Sequence, residues 1–176
     1  IAELLGSSGR EPVFRAQHQI SLWKNALLTP EAALMAADND WERQIAQLYA
    51  GYQATLESYQ AVDFDDLIRL PVLLLQQHSD IKYRWQRRLR YLLVDECQDT
   101  NDAQYRLLKQ LAGPAGNFTC VGDDDQSIYA WRGANPENLH NMGVEYPNLQ
   151  VIKLEQNYRC SNRVLRAANA LIAHNP

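Results

Sequence analysis

Residues 92–100 read Leu92-Leu93-Val94-Asp95-Glu96-Cys97-Gln98-Asp99-Thr100, an apolar, β-prone run that stops at two adjacent carboxylates. Beyond it, 101–111 has the periodicity of an amphipathic helix closed by Gly113, and 118–121 is a second apolar run ending in Gly122 and three aspartates. Strand, helix, strand in that order predicts a parallel pair, because parallel strands need a crossover and a helix supplies it. A third run, 151–154, is expected to add a strand; a helix opened by Asn135-Pro136 precedes it and one over 161–173 follows. Ligands of such sheets bind beyond the carboxyl ends of the strands, and the acids lie there.

Upstream the period changes from two to near four. Thr29-Pro30-Glu31 supplies an N-cap, a proline at the first helical position and an acid in the first turn, so a short helix is expected through 32–37. Asn39 and Glu42 have the spacing of a capping box, and Trp41, Ile45, Leu48, Tyr52, Leu56 and Tyr59 recur at helical steps. Helical recurrence makes that stripe a packed face rather than a base-stacking platform. Asp63 is expected to cap a helix over 64–77, kinked at Pro71, which donates no backbone N–H.

The composition suits a soluble globular protein: 176 residues, 46% apolar and 22% charged. The longest unbroken apolar run is 72–75, far short of the roughly 20 residues of a membrane span. Nothing near Ile1 resembles a signal peptide. Cys97, Cys120 and Cys160 are odd in number and widely spaced, which argues against a disulfide framework and a four-ligand zinc site and makes reduced, cytoplasmic thiols the default. His18, His78, His140 and His174 form no ligand pair at short spacing. The formal charge of −4 does not exclude a local basic groove, and the acids bunched at 95–102 and 123–125 invite a cation.

Adjacent side chains on an extended chain point to different sides, so Asp95 and Glu96 can divide labour. In a nucleotide hydrolase the first carboxylate holds magnesium, usually through water, and the second orients the attacking water. Taken alone, the string is better read as a strand end leading to a helix cap at Asn101. Lys82, Arg84, Arg87, Arg88 and Arg90, interleaved with Tyr83 and Trp85, fit a DNA-backbone track or a solvated helix face, and the second is the simpler reading.

Context resolves the first ambiguity. The block at 95–100, the block Val121-Gly122-Asp123-Asp124-Asp125-Gln126-Ser127-Ile128-Tyr129-Ala130-Trp131-Arg132-Gly133-Ala134 and the block Leu154-Glu155-Gln156-Asn157-Tyr158-Arg159 together resemble motifs II, III and IV of superfamily 1A DNA helicases. The resemblance is to the bacterial Rep, UvrD and PcrA group and covers residues 61–176. It implies an α/β fold with a partial RecA-like (P-loop NTPase) parallel sheet behind a mostly helical insertion subdomain. It also implies an ATP-driven, 3′-to-5′ translocase on single-stranded DNA that opens duplex junctions, with ATP and magnesium as cofactors.

Carried over by position, the resemblance makes Asp95 the magnesium-associated acid, Glu96 the general base and Gln126 the γ-phosphate sensor. It places Trp131 against a DNA base with Tyr129 nearby; Arg132 either binds a DNA phosphate or braces the carboxylates, and bracing ranks first. Tyr158 would stack on adenine, and Arg159 would reach the γ-phosphate from a second motor domain. Phe64-Asp65-Asp66-Leu67 resembles a further family block near the DNA path, although its acids also suit a helix N-terminus.

Cys97 and Cys160 depart from the residues usual in the group, at positions without proposed chemistry, and no Gly-x-x-x-x-Gly-Lys-Ser/Thr loop occurs. The chain is therefore expected to be an internal piece of a longer enzyme, inactive alone: 1–62 from the helical insertion, 63–154 from the first motor domain, and 155–176 opening the second. The resemblance further implies a bacterial, cytoplasmic, nucleoid-associated protein with no membrane partner, and leaves room for replication or repair proteins. Two other classes stay open: a helicase-nuclease subunit, and a non-catalytic DNA- or partner-binding module derived from the motor. Glu96, Gln126 and Arg159 together argue against the last.

Overall fold

The computed structural model describes residues 1–6, 9–114 and 116–174. Its first part is helical: α1 (Ala2–Leu5), α2 (Arg10–Asn25), α3 (Pro30–Met35), α4 (Asp40–Ser58), α5 (Asp66–Gln77) and α6 (Ser79–Arg88). Thr29 caps α3 by accepting the Ala32 N–H, as its sequence predicts. Asn39 likewise accepts the Glu42 N–H at the start of α4, but the Glu42 carboxylate turns to the Asp38 N–H, so only half of the expected capping box forms.

Ile20 and Trp23 of α2, Ala33 of α3, and Ile45, Leu48 and Tyr49 of α4 form one apolar core. Burial of each large side chain contributes roughly 1.5–3 kcal/mol. The predicted α4 stripe holds only at its centre. Tyr49, outside that stripe, is fully buried, stacks on Trp23 and donates to the Leu28 carbonyl, whereas Trp41 and Tyr59 at the stripe's ends lie exposed. The core shared with α2 and α3 meets α4 at 45–49 and includes neither Trp41 nor Tyr59.

Polar groups bind this helical part to α5. The Lys24 ammonium, wholly buried, lies 2.7 Å from Asp63 Oδ2 and 2.9 Å from Asp66 Oδ2. Arg69 reaches Asp66 Oδ1, and the Tyr52 hydroxyl donates to Asp63. Asp63 also accepts the Asp66 N–H, and α5 starts at Asp66, two residues later than predicted, and continues through Pro71.

The remaining elements are β1 (Leu92–Val94), α7 (Asp102–Ala112), β2 (Phe118–Cys120), α8 (Glu137–Glu145) and α9 (Asn162–Ile172). β1 and β2 are parallel, with Val94 opposite Cys120, and α7 is the predicted crossover, opened by an Asn101–Gln104 capping box. Tyr105 and Lys109 of α7 both bond Glu145 of α8, and a second core gathers Cys97, Tyr105, Leu108 and Met142. The architecture is thus α/β, mostly helical, with a small two-stranded parallel sheet.

The expected third strand does not form. Residues 151–154 have no strand partner among the described residues, and Val151, Ile152 and Leu154 are 77%, 78% and 85% exposed. A strand is defined by its ladder, so an apolar run with no neighbour stays irregular however β-prone its side chains are. No helix among the described residues is long and apolar enough to cross a membrane.

Candidate functional site

The two strands end side by side, and their pairing runs one step further: the Val121 N–H donates to the Val94 carbonyl and the Cys97 N–H to the Val121 carbonyl. Between those bonds Asp95 and Glu96 are released to solvent. The chain reverses there because Glu96 takes the left-handed conformation, φ 51° and ψ 45°, which a side chain with a Cβ adopts at a cost of about 1–2 kcal/mol. Asp95 Oδ1 accepts the Glu96 N–H at 3.0 Å and supports the turn.

A 3-10 turn, Cys97–Asp99, follows and hides Gln98 completely. The Gln98 side chain reaches both strand ends. Its Nε2 donates to Glu96 Oε2 at 2.7 Å, and its Oε1 accepts the Asp123 N–H at 3.1 Å. The amide's orientation is fixed by its partners, since a carboxylate only accepts and a backbone N–H only donates. Asp123 then accepts from Gln126 Nε2 at 2.6 Å. Glu96 and Gln126, distant in sequence, are therefore joined by a relay through Gln98 and Asp123. Gly122 makes room for it, because a Cβ there would lie 3.0 Å from Gln98 Oε1 and 3.3 Å from both Cys97 and Leu139.

Beneath the relay Cys97 is buried, its thiol pushed up first by its hydrogen bond with Cys120 and then by burial. It acts as neutral packing. Among the described residues no three metal-ligating side chains cluster, and Asp95 is exposed, as are Glu96 beside it and the carboxylates at 123–125.

The segment after Gln126 leads away from the rim. A second turn, Ala130–Arg132, ends at Gly133 with φ 85°, and the Asn135 N–H returns to the Thr100 carbonyl. The segment is thus tied at both ends to residues 98–100. Tyr129 and Trp131 lie with ring centroids 6.4 Å apart, and the Arg132 guanidinium covers both rings at 5.7 and 5.6 Å. Arg132 makes no ion pair with Asp95 or Glu96 among the described residues, contrary to the expected bracing; the two rings offer it a face at its own end of the segment.

These rings open into a cleft of about 670 Å³, whose walls include Ser21, Asn25, Phe64, Asp65, Tyr129 and Trp131. Phe64 is 90% exposed although both neighbours are held: Asp63 by Lys24 and Tyr52, Asp65 by Ser21 and Asn25. A clamped loop presenting a bare phenyl ring is what the sequence reading left out of its site. The signal was the resemblance of the block at 64–67 to a family block, whose acids also suit a helix N-terminus.

Tyr158 and Arg159 stand apart. Both lie in the irregular segment before α9, where Asn157 Oδ1 accepts the Arg159 and Cys160 N–H groups, and neither side chain has a hydrogen bond or ion pair to the rim. On α6, Arg87 covers Tyr83 and Arg88 covers Trp85, with no buried residue on the helix, as a solvated face requires.

A parallel strand pair with a carboxylate-bearing rim beside an aromatic cleft sets the class of α/β protein. The chain belongs to the UvrD/REP helicase N-terminal domain family, whose profile matches residues 5–147. It is similar to ATP-dependent DNA helicase Rep of Salmonella typhimurium (strain LT2) and of Escherichia coli (strain K12), each 56% identical over 157 residues, 89% of this chain and 23% of those proteins. It is also similar to ATP-dependent DNA helicase PcrA of Leuconostoc citreum, 50% identical over 156 residues, 89% of this chain and 21% of that protein. The chain thus spans less than a quarter of the length of these relatives.

Proposed function

We propose that this chain is a segment of an ATP-dependent DNA helicase that couples magnesium-ATP hydrolysis to movement along single-stranded DNA and opening of duplex. In this reading residues 1–62 belong to a helical insertion, 63–154 complete a RecA-like first motor domain, and 155–176 begin the second. The observation that carries it is continuity. One short segment has Gln126 bonded into the acidic rim at its start and Trp131 in the aromatic cleft five residues later. Displacement at one end must then be felt at the other.

The residues fit magnesium-ATP. Magnesium dehydrates reluctantly and needs one or two carboxylates beside its waters and the phosphates, so the exposed Asp95 suits it without an all-protein cage. When bound, the ion neutralises charge on the phosphate oxygens. Glu96 is the residue to take the proton from the attacking water, and the Gln126 amide can hydrogen-bond a phosphate oxygen and that water together. Tyr158 and Arg159 complete the nucleotide site when the second motor domain closes, the guanidinium offsetting transition-state charge. Tyr129, Trp131 and Phe64 stack on bases, each stack worth roughly 1–3 kcal/mol and indifferent to sequence, while Arg132 meets a DNA phosphate from above the rings.

The test is ATP hydrolysis by the full-length protein that carries this chain, with and without single-stranded DNA. Glu96→Gln is expected to lower kcat about 100-fold or more, and Trp131→Ala to weaken DNA binding about tenfold with DNA-free hydrolysis retained. Wild-type protein that hydrolyses no ATP in the presence of DNA would refute the reading.

A further inference from the structure

Gln98 sits where the two strand ends converge, and neither the proposed hydrolysis nor the DNA contacts use it. Its burial is unusual for an amide whose neighbours Asp95, Glu96 and Asp123 are all exposed. A buried amide is retained at such a place only if its donor and acceptor are satisfied, and both bonds go to the two segments that must act together. Its own carbonyl also accepts from Ser127 Oγ at 3.4 Å, one residue past Gln126. Gln98 therefore holds the start of the 123–132 segment at two points and the Glu96 carboxylate at a third.

From this geometry we infer that Gln98 is the positioning residue that couples the general base to the DNA-contacting segment, so that DNA bound at Trp131 sets the orientation of Glu96. The inference rests on the helicase reading above. Glu96 needs such a hold because its backbone is in the left-handed region, where a Cβ-bearing residue stays only when its surroundings impose it. A shift of the 123–132 segment moves the Asp123 N–H, the Gln98 amide follows its acceptor bond, and the amide's other end carries the Glu96 carboxylate with it. Gln98 touches neither nucleotide nor DNA in this scheme. Its effect is read in the response to DNA rather than in binding.

The experiment compares wild type with Gln98→Met, of similar length but without either hydrogen bond, in the full-length protein. The ratio of DNA-stimulated to DNA-free ATP hydrolysis is expected to fall about tenfold, with KM for ATP and affinity for a single-stranded oligonucleotide changed less than about threefold. Gly122→Ala is the second probe. It removes no bonding group but presses a methyl against Gln98 Oε1, and should lower the same ratio by a smaller factor. In a double-mutant cycle, adding Gln98→Met to Glu96→Gln should cost nothing further in stimulation. Equal loss of stimulated and DNA-free rates, or an unchanged ratio in both variants, would overturn the inference and leave Gln98 a packing residue. Wild-type protein with no DNA-stimulated hydrolysis fails the helicase reading before any variant is compared, and takes the inference with it.

Discussion

Two polar networks in this chain use similar groups to opposite ends. Around Lys24, an ammonium, two carboxylates, a phenol and a guanidinium close on one another, with Lys24 0% and Asp66 1% exposed. At the strand ends, Glu96, Gln98, Asp123 and Gln126 form an open line in which only Gln98 is buried, and Asp95, Asp124 and Asp125 face solvent. The closed network turns its charged groups on one another, leaving the buried Arg69 Nε unpaired, and so fixes α2 to α5. The open one leaves carboxylates and an amide exposed with capacity to spare, as the proposed cation and phosphate site requires.

The largest effect expected from this contrast is on stability. Lys24→Met leaves Asp66 buried with only the 3.4 Å contact from Arg69, and breaking such a pair from one side costs about 3–5 kcal/mol. Gln126→Ala, on the exposed rim, should change stability by no more than about 0.5 kcal/mol. Thermal or urea unfolding of the chain measures both, and similar losses would erase the distinction between the networks. Asn101 is the joint between them: its amide donates to Asn25 Oδ1 of α2 at 3.0 Å while its carbonyl oxygen caps α7. Asn101→Ala should fall between the extremes, about 1–2 kcal/mol, since a cap and a cross-link are lost together.

The sequence made the open network more legible than the closed one. Apolar runs ending in acids, the Asn101 cap and Gly113 mark the strand–helix–strand unit locally, and the structure places them as read. Asp95 and Glu96 stand out locally as acids at a strand end, but their proposed roles and that of Gln126 came from the resemblance of the three blocks to a known family. Gln98 was not legible, since a polar residue in a short turn ordinarily faces water and only the convergence of two strand ends buries it. Lys24 stayed hidden for the same reason: it lies on a helix with a weak apolar face, and its partners are about forty residues away. The 151–154 run shows the converse failure, since β-propensity is visible locally and the ladder that would realise it is not.

The smallest expected effect is the most discriminating, because two neighbouring carboxyls should respond to acid with opposite signs. Burial pushes the Asp63 carboxyl up, but the Lys24 hydrogen bond, the Asp66 N–H, the Lys24 charge and the Tyr52 hydroxyl together hold it below the ordinary value. The native state thus favours the ionised form, and Asp63 contributes stability that is present above about pH 3.9 and lost as pH falls through its folded pKa. Asp65 runs the other way: burial raises it, the Ser21 hydrogen bond only partly offsets that, and the Asp63 charge adds to the rise. Its ionised form costs stability at neutral pH, a cost relieved as pH falls through its folded pKa. Melting temperatures between pH 6 and pH 3 should therefore fall less steeply for Asp63→Asn than for wild type, and more steeply for Asp65→Asn. If both variants bent the profile the same way, the closed network would not be the charge-paired unit that its geometry describes, and the clamp on Phe64 would have to be held by packing alone.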